Sequence, residues 1–157
     1  IVRNIVEQMD KSGIPTVYVE NIEGKIWEKV AYNSALNPLS ALLDVPYGRL
    51  LDTEETQVLM RKVIYEIYAV ALEKRVPMTI PTPEEYLQHL FYKLIPPTAE
   101  HYASMREDLR QGRKTEIDAL NGAIVRIGEE LKIGCPTNQF LTQLVKAKEQ
   151  MSIMKPE

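Results

Sequence analysis

The 157-residue sequence is poor in the residues that build disulfides, metal sites and nucleic-acid surfaces. Its single cysteine, Cys135, excludes an internal disulfide and is typical of a reducing compartment. The two histidines, His89 and His101, have neither HxxxH nor HExxH spacing, which argues against a metal site. A formal net charge of −3 and the lack of a basic cluster argue against binding to nucleic acid.

Long apolar runs are also missing. No stretch approaches the roughly 18 consecutive apolar residues of a transmembrane helix, and no signal peptide opens the chain. These absences predict a cytoplasmic protein without a membrane partner. The chain begins with Ile1 inside a helical pattern, so we expect it to be a piece of a longer protein.

The periodicity of the apolar residues predicts a mainly α fold of about six helices. The first helix is expected over residues 2–12, and the β-branched run PTVYVE at 15–20 predicts a short strand. Asn21 is then expected to cap a helix that runs toward Leu43, with a kink or break at Pro38.

Capping signals predict the remaining helices. They are expected from Asp52 to about Arg75, from Thr82 to a point before Pro96, from about Thr98 to about Gln111, and over residues 114–131. The last is expected from Thr137 or Asn138 into a loose tail, SIMKPE.

A polar stripe interrupts the first long helix. In IWEKVAYNSALNPLSAL, residues 26–42, Lys29, Asn33 and Asn37 recur every four residues and should share one helix face. Asparagine is unfavourable inside a helix, because its side chain competes for backbone hydrogen bonds. A solvent-facing seam is the simpler interpretation of the pattern alone. The alternative is the polar wall of a ligand site, beside backbone groups freed by Pro38.

A second unusual stretch is SMREDLRQGRKTEIDALNG, residues 104–122. Ser104 and Asp108 should share a helix face. Glu116 is predicted at the start of the next helix, where the helix dipole favours a carboxylate. The glycine at 122 is then mid-helix, where it costs about 1 kcal/mol relative to alanine. A close helix contact or a substrate contact would explain it.

The stretches WEKVAYNSALNPLSAL and SMREDLRQGRKTEIDALNGAIV, followed by GCPTNQFLTQLVKAKE, resemble the C-terminal domain of ketopantoate reductases, the 2-dehydropantoate 2-reductase family. The resemblance extends over essentially the whole chain from about residue 20. It implies an all-helical substrate domain of the 6-phosphogluconate-dehydrogenase C-terminal type over residues 23–157. Residues 1–22 would then be the trailing helix and strand of a Rossmann nucleotide-binding domain.

The resemblance also implies an activity, the reduction of 2-dehydropantoate to pantoate with NADPH for the synthesis of pantothenate and coenzyme A. The family's catalytic residues fall on Lys29 and Glu116, and its substrate-binding residues on Asn33, Asn37 and Ser104. No G-x-G-x-x-G occurs here, so NADPH would be bound mainly by a preceding domain. The isolated fragment is therefore expected to be inactive.

These residue types suit the implied reaction. Adding hydride to a ketone produces an alkoxide, which needs a proton or a positive charge at hydrogen-bond distance. A half-buried Lys29, held by Glu116, would supply both. Carboxamides and a hydroxyl would orient the 2-keto acid substrate without adding net charge.

Two alternatives stay open. Tyr47 stands where many family members carry a substrate-contacting asparagine, which keeps a related 2-keto or β-hydroxy acid dehydrogenase in view. A non-catalytic helical interaction module would instead leave Lys29 and Glu116 apart and solvated. Exposed apolar residues on the last helices favour self-association into a homo-oligomer.

Overall fold

A computed structural model of the chain describes residues 1–153 and is built almost entirely of helices. Within that range the α-helices are α1 (Val2–Lys11), α2 (Ile22–Leu43), α3 (Glu54–Glu73), α4 (Pro83–His89), α5 (Ser104–Arg110), α6 (Asn121–Leu131) and α7 (Pro136–Ile153). A π-helical turn, Leu90–Leu94, extends α4, and short 3₁₀ turns occupy Tyr47–Leu51 and Pro96–Thr98. The predicted mainly α fold is confirmed.

The long helix α2 lies at the centre of the fold. It packs against α3, α5 and α7, and α6 packs against α3 and α7. Every residue from 34 to 41 is buried. As predicted, Asn21 caps the helix, since its Oδ1 accepts a hydrogen bond from the Gly24 amide at 3.0 Å. A Cβ on Gly24 would lie only 2.2 Å from the Pro77 carbonyl oxygen, so only glycine fits this contact.

Helix α2 continues through Pro38 instead of breaking there. Proline has no N–H, so the Ser34 carbonyl loses its partner within the helix. The carboxamide of Asn121 replaces that partner, with Nδ2 donating to Ser34 O at 3.1 Å. Asn121 is fully buried. The polar group freed by Pro38 is therefore satisfied inside the core.

The same carboxamide starts a longer buried network. Asn121 Nδ2 also donates to Asn138 Oδ1 at 3.0 Å, and Asn138 Nδ2 donates to Glu66 Oε2 at 2.7 Å. Glu66 accepts two backbone hydrogen bonds as well, from Thr137 at 2.8 Å and Asn138 at 2.9 Å. A carboxylate is favourable at a helix N-terminus. One chain of polar contacts thus joins α2, α6, α7 and α3.

Several predicted helix starts were wrong. Helix α6 begins at Asn121 and not at 114, because a bend at 116 and a turn over 117–120 precede it, and Leu120 has φ −100° and ψ −103°, far from helical values. Gly122 is therefore in the first turn of α6, which removes the apparent mid-helix cost. Helix α3 is capped by Thr53, whose Oγ1 accepts from the Thr56 amide at 3.3 Å, and not by Asp52.

Two further starts differ from prediction. Helix α5 starts at Ser104 instead of near Thr98, since residues 99–103 have no helical structure. Helix α7 starts at Pro136 instead of Thr137 or Asn138, which agrees with the preference for proline at the first helical position.

The ends of the chain were predicted in part. Helix α1 forms as expected but contributes no buried residue. The predicted strand at 15–20 does not form, because residues 1–153 contain no other strand to pair with it. The predicted tail, SIMKPE, is helical up to Ile153, and its residues 154–157 lie outside the described part. No helix within the described range has the length and apolarity needed to cross a bilayer.

We expect Asn121→Ala to lower the free energy of unfolding by about 1–2 kcal/mol, because it leaves Ser34 O and Asn138 Oδ1 buried without a donor. Part of the cost is offset, since Asn121 Oδ1 itself has no partner among the described residues. In a Pro38→Ala background the new backbone N–H can bond Ser34 O, so the same substitution should cost about 1 kcal/mol less. Urea denaturation of the four variants measures this difference. Equal costs in both backgrounds would contradict the assigned role.

Candidate active site

The polar stripe predicted on α2 is present. Because α2 is continuous, Lys29, Asn33 and Asn37 lie on one face, one turn apart. Their exposure decreases along the helix, from an exposed Lys29 through a half-buried Asn33 to an Asn37 that is 4% exposed. The stripe therefore runs from the surface into the core, which a purely solvent-facing seam would not do.

Asn37 connects the stripe to Glu116. Its Nδ2 donates to Glu116 Oε1 at 3.0 Å, and its Oδ1 accepts from the Tyr47 hydroxyl at 2.8 Å. These three residues are called the Tyr47–Asn37–Glu116 chain below. The structure thus brings together two of the five predicted site residues and adds a third residue, Tyr47.

Glu116 occupies the turn before α6 and not a helix start, and its side chain is exposed. The residues on either side fix this turn. Thr115 donates from its backbone amide to Glu149 Oε1 at 2.7 Å, and Asn121 bonds Ser34 O. The backbone that carries Glu116 is therefore anchored to both α7 and α2.

The expected ion pair between Lys29 and Glu116 does not form among the described residues. Lys29 is exposed, whereas the sequence predicted a half-buried lysine. The helix geometry explains the separation. Lys29 precedes Asn37, the partner of Glu116, by two turns, about 12 Å along the axis.

A groove of about 480 Å³ lies beside Lys29, a volume that suits a small ligand. Its walls come from α2, from α4 with its π-helical turn, and from the turn after it. The lining residues are Lys25, Glu28, Lys29, Tyr32, Tyr86, His89, Leu94 and Thr98. Hydrogen bonds fix both aromatic side chains, since Tyr86 OH donates to Glu28 O at 2.6 Å and Tyr32 OH lies 2.9 Å from Thr98 Oγ1.

Tyr32 links this groove to the Tyr47–Asn37–Glu116 chain. The rings of Tyr32 and Tyr47 pack edge to face, with centroids 6.1 Å apart. Burial, with Tyr32 and Glu116 nearby, raises the pKa of Tyr47 to about 12. The Tyr47 hydroxyl is therefore protonated at neutral pH and remains a hydrogen-bond donor.

Ser104 is the remaining predicted site residue. It is the exposed first residue of α5, and its side chain bonds none of the other four predicted residues within residues 1–153. Its helix is nevertheless held against α2, because the Ala103 amide donates to Ser40 Oγ at 3.4 Å and Arg106 pairs with Asp44.

Sequence reasoning missed two contributors, Tyr32 and Thr98, and missed the contact that Tyr47 makes with Asn37. Tyr32 had a usable signal, because it lies three residues after Lys29 on a helix and so shares its face. The contact of Tyr32 with Thr98 spans 66 residues and has no signal in the sequence.

The described residues offer neither a reactive cysteine nor a metal-binding cluster. Cys135 is 7% exposed, and burial raises its pKa to about 11, so it is a protonated thiol and a poor nucleophile at neutral pH. The residues that the structure describes contain no cluster of three or more histidine, cysteine or acidic side chains able to hold a metal ion.

Two features were expected to separate an enzyme from a helical interaction module. Lys29 opens onto a groove, as the enzyme hypothesis requires. Lys29 and Glu116 are both exposed and do not pair with each other among the described residues, as the interaction-module hypothesis predicted. The geometry alone therefore does not separate the two hypotheses.

Comparison with known proteins supplies further findings. Residues 21–149 match the family described as ketopantoate reductase PanE/ApbA, C terminal. The chain is 46% identical over 151 residues to the 2-dehydropantoate 2-reductase of Aquifex aeolicus (strain VF5), a match that covers 96% of this chain and 48% of that protein. The chain spans about half the length of the curated relatives it matches.

Solved structures give the same fold. A PanE/ApbA family ketopantoate reductase from Ralstonia eutropha JMP134 superposes with a TM-score of 0.85 at 33% identity, covering 96% of this chain and 49% of that one. A D-mandelate dehydrogenase solved with NADH and anilino(oxo)acetate gives a TM-score of 0.84 at 31% identity, covering 96% and 48%.

Proposed function

Because the chain belongs to the ketopantoate reductase family and matches the C-terminal domain of its members, we propose that it is the substrate-binding half of an NADPH-dependent 2-dehydropantoate 2-reductase. The observation that carries this proposal is the stripe of Lys29, Asn33 and Asn37 on α2, with Asn37 bonded to Glu116. It supplies a cation, neutral polar groups and a carboxylate along a single face.

We propose that a small keto acid binds along the stripe. Lys29 and Asn37 are separated by about 12 Å along the helix, and Asn33 lies between them. A 2-keto acid over Asn33 would have the ammonium group at one end and the Glu116 carboxylate at the other. We propose that Asn33, Ser104 and the remaining N–H of Asn37 orient the substrate carboxylate and hydroxyl.

Lys29 is proposed as the proton donor. When bound, NADPH supplies the hydride that reduces the keto carbon to an alcohol carbon. The ammonium of Lys29 gives a proton to the developing alkoxide, so that the ketone gains one hydride and one proton in total. Glu116 attracts the ammonium toward the substrate and keeps the charge of the site balanced.

The residues present do not suit a whole dinucleotide. The chain has no glycine-rich phosphate loop, and the groove is sized for a small molecule. We therefore propose that NADPH is held mainly by a domain outside this chain, with residues 1–22 as the end of that domain and 23–157 as the substrate domain. The start of the family match at residue 21 and the absence of buried residues in α1 support this division.

A second candidate is a related 2-keto acid dehydrogenase that acts on a substrate with an aromatic group. The observations in its favour are the similarity to a D-mandelate dehydrogenase and the paired rings of Tyr32 and Tyr47 beside the stripe. Both candidates use the same reaction and the same lysine, so only the preferred keto acid separates them.

Self-association of the full-length protein is also proposed. Phe140 and Leu144 lie one turn apart on α7 and are 55% and 42% exposed. An apolar pair of this kind favours contact with a second copy. Sedimentation velocity of the protein and of a Phe140→Ser variant tests this, and a monomer in both cases would refute it.

In the full-length protein, Lys29→Ala should lower kcat by at least about 100-fold, because a general acid typically contributes that much or more. NADPH oxidation is measured with 2-dehydropantoate and with phenylglyoxylate, and NADH is tested in parallel. Lys62→Ala is the matched control, since Lys62 is exposed on α3 and does not line the groove. Full activity of a folded Lys29→Ala variant would refute the acid role. A higher kcat/KM with phenylglyoxylate would favour the second candidate.

The isolated chain should neither bind NADPH tightly nor reduce 2-dehydropantoate, because it lacks a dinucleotide-binding loop. Quenching of NADPH fluorescence and absorbance at 340 nm measure these two properties. The full-length protein, assayed at the same concentration, is the positive control. Measurable NADPH-dependent turnover by the isolated chain would overturn the proposed division of labour.

A further inference from the structure

The donor and acceptor atoms of the three side chains determine the direction of each hydrogen bond in the Tyr47–Asn37–Glu116 chain. An ionised carboxylate only accepts hydrogen bonds, so the Asn37 amide nitrogen, and not its oxygen, must face Glu116. The Asn37 carbonyl then faces Tyr47, which must act as the donor, in agreement with distances of 3.0 Å and 2.8 Å. Each contact therefore determines the orientation of the next.

The donor end of this chain is rigid. Tyr47 is 9% exposed, its backbone amide donates to His101 O at 2.9 Å, and the next amide, of Gly48, donates to Ala99 O at 2.9 Å. Its ring also packs against Tyr32. The fixed ring holds the hydroxyl 2.8 Å from Asn37 Oδ1, its hydrogen-bond partner within residues 1–153.

The acceptor end depends on this donor. Glu116 is exposed, and Asn37 is the only donor to its carboxylate within residues 1–153. An exposed glutamate side chain without a fixed partner samples many rotamers. Asn37 thus selects the position of the Glu116 carboxylate, and Tyr47 selects the orientation of Asn37.

We propose that Tyr47 is a positioning residue of the reductase, which acts through Asn37 to hold the Glu116 carboxylate beside the substrate. This inference rests on the proposed function, in which Glu116 belongs to the reacting site. Without the hydroxyl, the Asn37 carboxamide can turn its oxygen toward Glu116, and the carboxylate is released. Of the proposed substrate contacts, those of Lys29, Asn33 and Ser104 do not pass through this chain and only that of Asn37 does, so KM should change less than kcat.

The test is a kinetic double-mutant cycle in the full-length protein. Tyr47→Phe removes one oxygen and should lower kcat about tenfold, as expected from the loss of one well-formed hydrogen bond, with KM changed less than about threefold. In a Glu116→Gln background the same substitution should have little further effect, because the group that it positions is already lost. A merely structural role would give equal factors in both backgrounds.

The control is Tyr68→Phe, which also removes a buried tyrosine hydroxyl. Tyr68 is 6% exposed and donates to Ile80 O at 3.0 Å, outside the chain of contacts proposed here. It should keep the wild-type kcat. Urea denaturation checks that all variants are folded. If Tyr47→Phe is unfolded, Asn37→Asp tests the same link, because it repels the Glu116 carboxylate. Its loss of kcat should be smaller in a Glu116→Gln background, where only the lost substrate contact of Asn37 remains.

Each outcome of the double-mutant cycle either supports or overturns the positioning role of Tyr47. Wild-type kcat in Tyr47→Phe, or an equal loss with and without Glu116→Gln, overturns the positioning role and leaves the proposed function intact. Full activity in Glu116→Gln overturns the role of Glu116, and the positioning role with it. Loss in both single variants, without further loss in the double variant, supports the proposal.

Discussion

The fold and the site both depend on the hydrogen bond between Asn121 and the Ser34 carbonyl. Pro38 leaves that carbonyl without a partner in the middle of a buried helix, where an unpaired polar group is costly. Because Asn121 supplies the missing donor, α2 continues through Pro38, and Lys29, Asn33 and Asn37 stay on one face. The same contact brings the start of α6 against α2. The turn that carries Glu116 immediately precedes Asn121, so this contact also brings Glu116 within reach of Asn37.

Local signals were sufficient for the features determined within a few residues. Asn21 and Thr82 were predicted as caps, and both accept the hydrogen bond expected of a cap. The start of α6 was wrong for a physical reason. Ile117 and Leu120 are buried in the turn just as they would be in a helix, so their apolar period does not distinguish the two. The turn ends where Asn121 bonds the Ser34 carbonyl, a contact between residues 87 positions apart. No local sequence pattern predicts that contact.

The candidate site was predictable to a similar extent. Helical spacing placed Lys29, Asn33 and Asn37 on one face, and local pattern also singled out Ser104 and Glu116. Only the family resemblance gave these two residues their roles. Neither source anticipated that Asn37 would be buried and bonded on both sides, because its partners come from a 3₁₀ turn and from a turn before α6. The two carboxamides, equivalent in the sequence, therefore differ in the structure. Asn37 is fixed inside the domain, and the half-buried Asn33 is free of such constraints among the described residues.

The distribution of charge in this site has an energetic consequence. The deep positions hold neutral groups, the Asn37 carboxamide and the Tyr47 hydroxyl, which bury cheaply when hydrogen-bonded. The charged groups, Lys29 and Glu116, are exposed, so the domain incurs little desolvation cost without substrate. In water, however, charges interact weakly, and their effect on an alkoxide grows only when water is excluded. In the proposed reductase, exclusion of water from the groove would therefore increase the effect of Lys29, and this domain contributes the placement of the charges.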